Sequence, residues 1–176
     1  MSTKQVTKFK NKEYQTTKEL ITAGTTLKLK LTDKTFEPIE IVDFGKDLKG
    51  NDKYKLAVIS VFPSINTSVC DEQTKGIIEL SKKHPNVRFI SVSVDLPSAI
   101  GQWLGMNGAD NIEFYSDHRQ RTFGEIGFLI DEIFLLNRGY LILDTQGKVL
   151  KVSANSDVHQ QIDFNELEEE IQKYKK

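Results

Sequence analysis

The sequence predicts a mixed α/β domain: a parallel strand–helix–strand unit, preceded by a β-rich extension and closed by a hairpin and a terminal helix. Three observations carry this. The near-continuous apolar run at 55–62 suits a strand covered on both faces. A helical stretch at 68–83 separates it from a second such run at 87–94, and a crossover of that kind makes the two strands parallel. Near the end, 140–144 and 148–152 flank the turn Thr145-Gln146-Gly147, and an amphipathic segment follows at 163–175.

The elements follow in chain order. Residues 6–14, centred on Asn11, read as a small hairpin. Segments 26–32 and 38–44 alternate apolar and polar residues with period two, as half-buried strands do, and Gly50-Asn51-Asp52 is a turn. The helix after the first apolar run stops at His84-Pro85-Asn86. Residues 97–105 predict a short helix, Asn107-Gly108 a turn, 112–115 a short strand and 119–126 a helix. In the terminal helix the acidic residues come early and the lysines late, as the helix dipole prefers; Lys173, Lys175 and Lys176 read as a solvated end. This order is thioredoxin-like. It predicts one thioredoxin-like domain over 1–176, with an N-terminal β-hairpin extension over about 1–50.

The composition narrows the function classes. A chain of 176 residues buries roughly 70% of its unfolded surface on folding, enough for a core without metal or disulfide. With 38% hydrophobic and 28% charged residues it is globular rather than disordered. A net charge of -1 lacks the positive field that nucleic acid requires. No apolar run approaches the ~18 residues of a membrane span, so neither nucleic acid nor membrane is an expected partner. No apolar stretch follows the basic Met1-Ser2-Thr3-Lys4-Gln5, and the expected location is the cytoplasm. The single cysteine, Cys70, rules out an internal disulfide and any multi-cysteine metal site.

The chemistry is concentrated at 62–74, between the first buried strand and its helix. Pro63 has no N–H to give a ladder and stops the strand. Thr67 or Ser68 is the natural N-cap; counted from Thr67, Cys70 falls in the first turn, where backbone N–H groups lack intrahelical partners. Those groups and the helix dipole stabilise a thiolate. Asp71 and Glu72 suit a helix start but oppose a second negative charge, so a cation from elsewhere is needed. A lone cysteine is ordinarily a small buried hydrophobe. A strand end leading into a helix start is instead where α/β folds place their sites.

Pro63-x-x-x-Thr67-x-x-Cys70 resembles the active-site loop of peroxiredoxins. The string from Phe62 to Cys70, the later Val94-Asp95-Leu96-Pro97 and the segment from Arg138 to Asp144 are similar to the thiol peroxidase subfamily in particular. The resemblance runs from about residue 20 to the C-terminus. It implies that Cys70 attacks a hydroperoxide, that Pro63 shields the site from water, that Thr67 hydrogen-bonds the peroxide and that Arg138 stabilises the thiolate. It also implies a homodimer, no metal or organic cofactor, and an external thiol reductant, either a thioredoxin-like protein or a small thiol. One departure matters. The subfamily usually carries a resolving cysteine on the following helix, and Leu104 stands in that place.

Other candidates carry less. His84, His118 and His159 have no metal-ligand spacing and read as surface residues. Asp131-Glu132 and Glu168-Glu169-Glu170 read as exposed charge, and no phosphate loop occurs. Trp103 reads as core, while Phe123, Phe128, Phe134 and Leu135 suit core, substrate wall or dimer contact equally. Among the other arginines, Arg88 is expected at a solvated strand end, and Arg119 and Arg121 on the surface. The reading is a peroxidase for hydrogen peroxide and organic hydroperoxides that works through one cysteine and a sulfenic acid. The rival is a peroxide sensor, or redox-signalling binding protein, on the same fold.

Overall fold

The computed structural model describes residues 4–65, 67–108, 112–119 and 122–175. Met1, Ser2, Thr3, Arg121 and Lys176, named above, lie outside the described residues. The chain opens with an antiparallel hairpin, Lys4–Phe9 (β1) and Lys12–Glu19 (β2). Its turn puts Lys10 and Asn11 at positive φ, 52° and 65°. That twist matches the flanking strands, and Asn tolerates it better than most residues. The hairpin expected around Asn11 is present and longer than 6–14.

The main sheet has seven strands in the order β11-β10-β5-β6-β7-β3-β4. Leu29–Thr32 (β3) and Pro38–Ile41 (β4) form one antiparallel edge. Leu56–Val61 (β5), helix Ser68–Lys83 (α1), Val87–Ser93 (β6), helix Pro97–Asn107 (α2) and Ile112–Ser116 (β7) supply the parallel centre. A two-residue ladder follows, Leu129–Ile130 (β8) with Leu135–Leu136 (β9). Gly139–Leu143 (β10) then pairs antiparallel with both β5 and Val149–Ala154 (β11), and helix Phe164–Lys175 (α3) ends the chain.

Every residue of β5 and β10 is buried, as their near-continuous apolar character requires. Alternation sends Ala57, Ile59 and Val61 into one core, with Leu29, Leu31, Phe44, Phe123 and Phe128. Leu56, Val58 and Phe62 enter the other, against Ile77, Leu80, Trp103, Leu167 and Ile171 of the three helices. The first face is therefore covered by irregular chain rather than helix. Gly139 is required at the head of β10: a Cβ there would lie 2.1 Å from the Ser153 carbonyl of β11.

Three expectations are corrected. The described part of 119–126 is a series of turns, not a helix. Asp117 accepts the N–H groups of Thr122 and Phe123, and the Thr122 hydroxyl bridges the N–H and C=O of Lys30. Those bonds replace a helical ladder. Arg88 is buried rather than solvated: it holds Glu113 in a two-point bond of 2.6 and 2.8 Å and donates to the carbonyls of Asp43 and Lys46. His84 is buried too, at the C-cap of α1. Its Nδ1 lies 2.9 Å from the ammonium of Lys175, so that lysine is not merely solvated, and its Nε2 lies 3.6 Å from Glu168.

Burial, followed by the positive charge of Lys175, pushes the His84 imidazole below its ordinary pKa. The unfolded chain therefore binds this proton more readily than the folded one, and stability falls as pH drops through the normal imidazole range. Thermal melts between about pH 7.5 and 5.5 should show that decline, in a window above most carboxylate titration. His84→Gln should flatten the slope; an unchanged slope would remove His84 as its source.

Candidate active site

The site begins where β5 runs out. The Phe62 N–H still reaches the Val92 carbonyl, at 3.2 Å, and Pro63, which is buried, ends the pairing. The loop beyond is gripped by Asp95. Its carboxylate accepts from the Ser64 hydroxyl at 2.8 Å, the Ile65 N–H at 2.7 Å and the Ser93 hydroxyl at 2.6 Å. Thr67 then caps α1 with extended backbone, φ -97° and ψ 152°. Its hydroxyl donates to the Ser64 carbonyl and accepts from the Cys70 N–H at 3.4 Å. The cap expected at Thr67 and the cysteine expected in the first turn are both in place.

Cys70 is fully buried, and Arg138 faces its sulfur. Arg138 directly precedes β10, and its own N–H is held by the Asn137 side chain at 2.9 Å. The guanidinium is anchored at three points. Nη2 lies 3.2 Å from Cys70 Sγ, Nη1 donates to Gln73 Oε1 at 2.7 Å, and Nε donates to the Val158 carbonyl at 2.8 Å. Arg138 thus meets the Cys70 sulfur and Thr67 bonds the Cys70 N–H, while Pro63 lies buried at the strand end that opens the loop.

Asp71 and Glu72 do not compete for that cation. Asp71 is engaged by the Lys75 ammonium at 2.8 Å and the Trp103 indole N–H at 3.0 Å. Lys75 above all holds the Asp71 carboxyl below the ordinary carboxylate range. Glu72 is exposed. Trp103 is core, as expected, but also ties α2 to the first turn of the cysteine helix. The next residue, Leu104, packs partly buried against the helical core. Outside the helix start lies a groove of about 460 Å³ lined by Ile65, Thr67, Ser68, Ala99, Trp103 and Met106 among others.

Sequence reasoning missed Gln73. It is fully buried, and its amide donates to the Ser60 hydroxyl at 2.7 Å and the Val61 carbonyl at 3.1 Å while its oxygen takes Arg138. The signal was there: Cys70, Gln73, Thr74 and Ile77 share one helical stripe, and a long amide on a buried stripe needs partners. Val158 was missed, and Asp95 was named only within a motif and without its contacts, since both act between segments that meet only in the fold.

The AhpC/TSA family profile matches residues 24–152. The chain belongs to the AhpC/TSA family. Within it the relatives are of the thiol peroxidase type of peroxiredoxin. A thiol peroxidase of Bacillus subtilis is 46% identical over 105 residues, 59% of this chain and 60% of its own length. One from Oceanobacillus iheyensis is 37% identical over 69% of this chain and 75% of its own. The fold agrees. A thiol peroxidase from Chromobacterium violaceum superposes with TM-score 0.83 at 16% identity, covering 100% of both chains. A peroxiredoxin-like protein from Aquifex aeolicus does so with TM-score 0.83 at 22% identity over 97% of each. These neighbours share the thioredoxin-like fold that the element order implied, and it is the family match and the thiol peroxidase relatives that make the chain a peroxiredoxin-type enzyme.

Gln73→Ala in this family member should leave Arg138 Nη1 and the Val61 carbonyl without their partner. Each buried polar group so orphaned costs about 1–3 kcal/mol, so the variant should melt several degrees lower. Gln73→Glu should keep the contact to Arg138 but lose the donor to Val61. Wild-type melting in Gln73→Ala would show that the amide anchors nothing.

Proposed function

We propose that this chain reduces hydrogen peroxide and organic hydroperoxides with Cys70 as its one peroxidatic residue. The observation that carries the reading is the Arg138 guanidinium 3.2 Å from a cysteine sulfur in the first turn of a Thr67-capped helix. The Cys70 thiolate attacks the distal peroxide oxygen, an S–O bond forms and the O–O bond breaks. Two electrons pass from sulfur to the leaving oxygen, which takes a proton from water and departs as water or alcohol. Cys70 is left as a sulfenic acid. Arg138 offers its fork to the thiolate and to the oxyanion that develops. The free lone pair of the Thr67 hydroxyl accepts the peroxide hydrogen, and Pro63 keeps water from the sulfur. No cofactor enters, since sulfur supplies the electrons.

Recycling needs an external thiol, because Leu104 stands at the resolving position and the chain has no second cysteine. That thiol attacks the sulfenic sulfur, water leaves, and a second thiol releases Cys70 from the mixed disulfide. A cytoplasmic setting supports this cycle, since a reducing compartment supplies thiol continuously. Family membership favours a homodimer, which light scattering would detect.

Steady-state peroxide consumption with excess thiol tests the reading, and one turnover without recycling would favour the sensor instead. Cys70→Ser should abolish consumption while keeping the fold; near-wild-type activity would sink the assignment. Arg138→Lys should keep the charge yet lose about tenfold or more in rate, because an ammonium cannot supply two-point geometry. Without reductant, excess peroxide should carry Cys70 on to sulfinic acid with no intramolecular disulfide, as intact mass would show.

A further inference from the structure

The Nε anchor of Arg138 leads away from the site to the surface. Its acceptor, the Val158 carbonyl, belongs to the loop between β11 and α3, and Val158 is itself fully buried. The N–H of that same residue donates to the Lys8 carbonyl of β1 at 2.9 Å, and the Lys8 N–H donates to the Ser156 carbonyl at 2.9 Å. One turn further, the Lys10 N–H donates to His159 Nε2 at 3.1 Å, and the Phe9 ring stacks on the His159 ring at 5.1 Å. The N-terminal hairpin therefore adds itself as an extra strand to this loop and clamps the residues on either side of the Val158 peptide.

The geometry points to a role for the hairpin in the reaction: we propose that it is a positioning element for Arg138, acting through the Val158 carbonyl. A guanidinium is planar, so fixing two of its nitrogens fixes the third. One fixed point is Gln73, held by Ser60 and Val61 in the core. The other is Val158, held by β1. If the loop shifts, the plane pivots about Gln73 and Nη2 leaves the sulfur. Asn137 braces the base of the loop by donating to the Asn155 carbonyl at 2.9 Å. The stretch from 156 to 159 has bonds of its own, from the His159 N–H to Asp157 and from Asn155 to the Gln160 carbonyl, and Lys8, Phe9 and Lys10 tie it to the hairpin. Among the described residues the charges at the sulfur's turn are Arg138 itself, Asp71, which Lys75 occupies, and the exposed Glu72.

This inference rests on the role proposed for Arg138, and its test separates the two. With one cysteine, thiolate formation can be followed by ultraviolet absorbance in the full chain, with Cys70→Ser as blank and with no peroxide present. Phe9→Ala and His159→Ala should move the midpoint of thiolate formation to higher pH by about half a unit, less than Arg138→Ala does. Added to Arg138→Ala they should move it no further, which a merely structural hairpin would not produce. Phe9→Tyr, which keeps the stack, should restore the wild-type midpoint, and Glu40→Ala on the far edge of the sheet should leave it unchanged. Lys8→Pro removes a single N–H at an edge strand and serves if the alanine variants fail to fold. Folded hairpin variants that titrate like wild type, or that shift equally with and without Arg138, would overturn the proposal. Loss of peroxide turnover alone in the wild type would instead overturn the peroxidase reading and leave the coupling standing.

Discussion

The structure is organised around a positive charge in a dry place. Burying an ion costs several kcal/mol even after relaxation, and the usual remedy is a carboxylate at close range. Among the described residues two arginines are buried, and the fold treats them differently. Arg88 receives the remedy: Glu113 holds it at two points, and the pair joins β6 to β7. Arg138 does not. Its acceptors are a backbone carbonyl, a neutral amide and a cysteine sulfur, and among the described residues no carboxylate pairs with it. The one partner able to carry a compensating negative charge is Cys70 as a thiolate. Each surrounding feature follows from that pairing. Thr67 sets the helix start, Gln73 and Val158 fix the guanidinium, and Lys75 and Trp103 occupy the carboxylate of Asp71 next door.

Much of this was legible in the sequence because it obeys local rules. The apolar runs of β5 and β6 and the α1 boundaries follow from periodicity, a proline stop and a threonine cap, all local. The site loop was legible for the same reason, with Pro63, Thr67 and Cys70 within eight residues of one another. Charges in the core were the blind spot. Arg88 and His84 were expected near solvent because their types are usually exposed. What buries them is a partner distant in sequence: Glu113 for one, Glu168 and Lys175 for the other. The expected helix at 119–126 fails similarly, since Asp117 takes its backbone N–H groups and Lys30 its Thr122 hydroxyl, neither inside the segment.

The missing resolving cysteine changes what the fold must do. A chain that closes an internal disulfide has to bring two sulfurs together, which requires the first turn of α1 or the helix opposite to let go. Here the first turn is held from three sides. Thr74 binds the Cys70 carbonyl, Gln161 binds the Val69 carbonyl, and Trp103 binds Asp71 from α2. Trp103 is also the neighbour of Leu104, so the residue that pins α2 adjoins the position where a second sulfur would stand. On the proposed reading this is consistent chemistry. With no second sulfur to meet, nothing is gained by unwinding α1, and holding the sulfenic acid against Arg138 keeps it in the geometry in which it formed. On that reading the reducing thiol must reach a sulfur that is fully buried in the first turn of α1, two residues beyond the exposed Ser68.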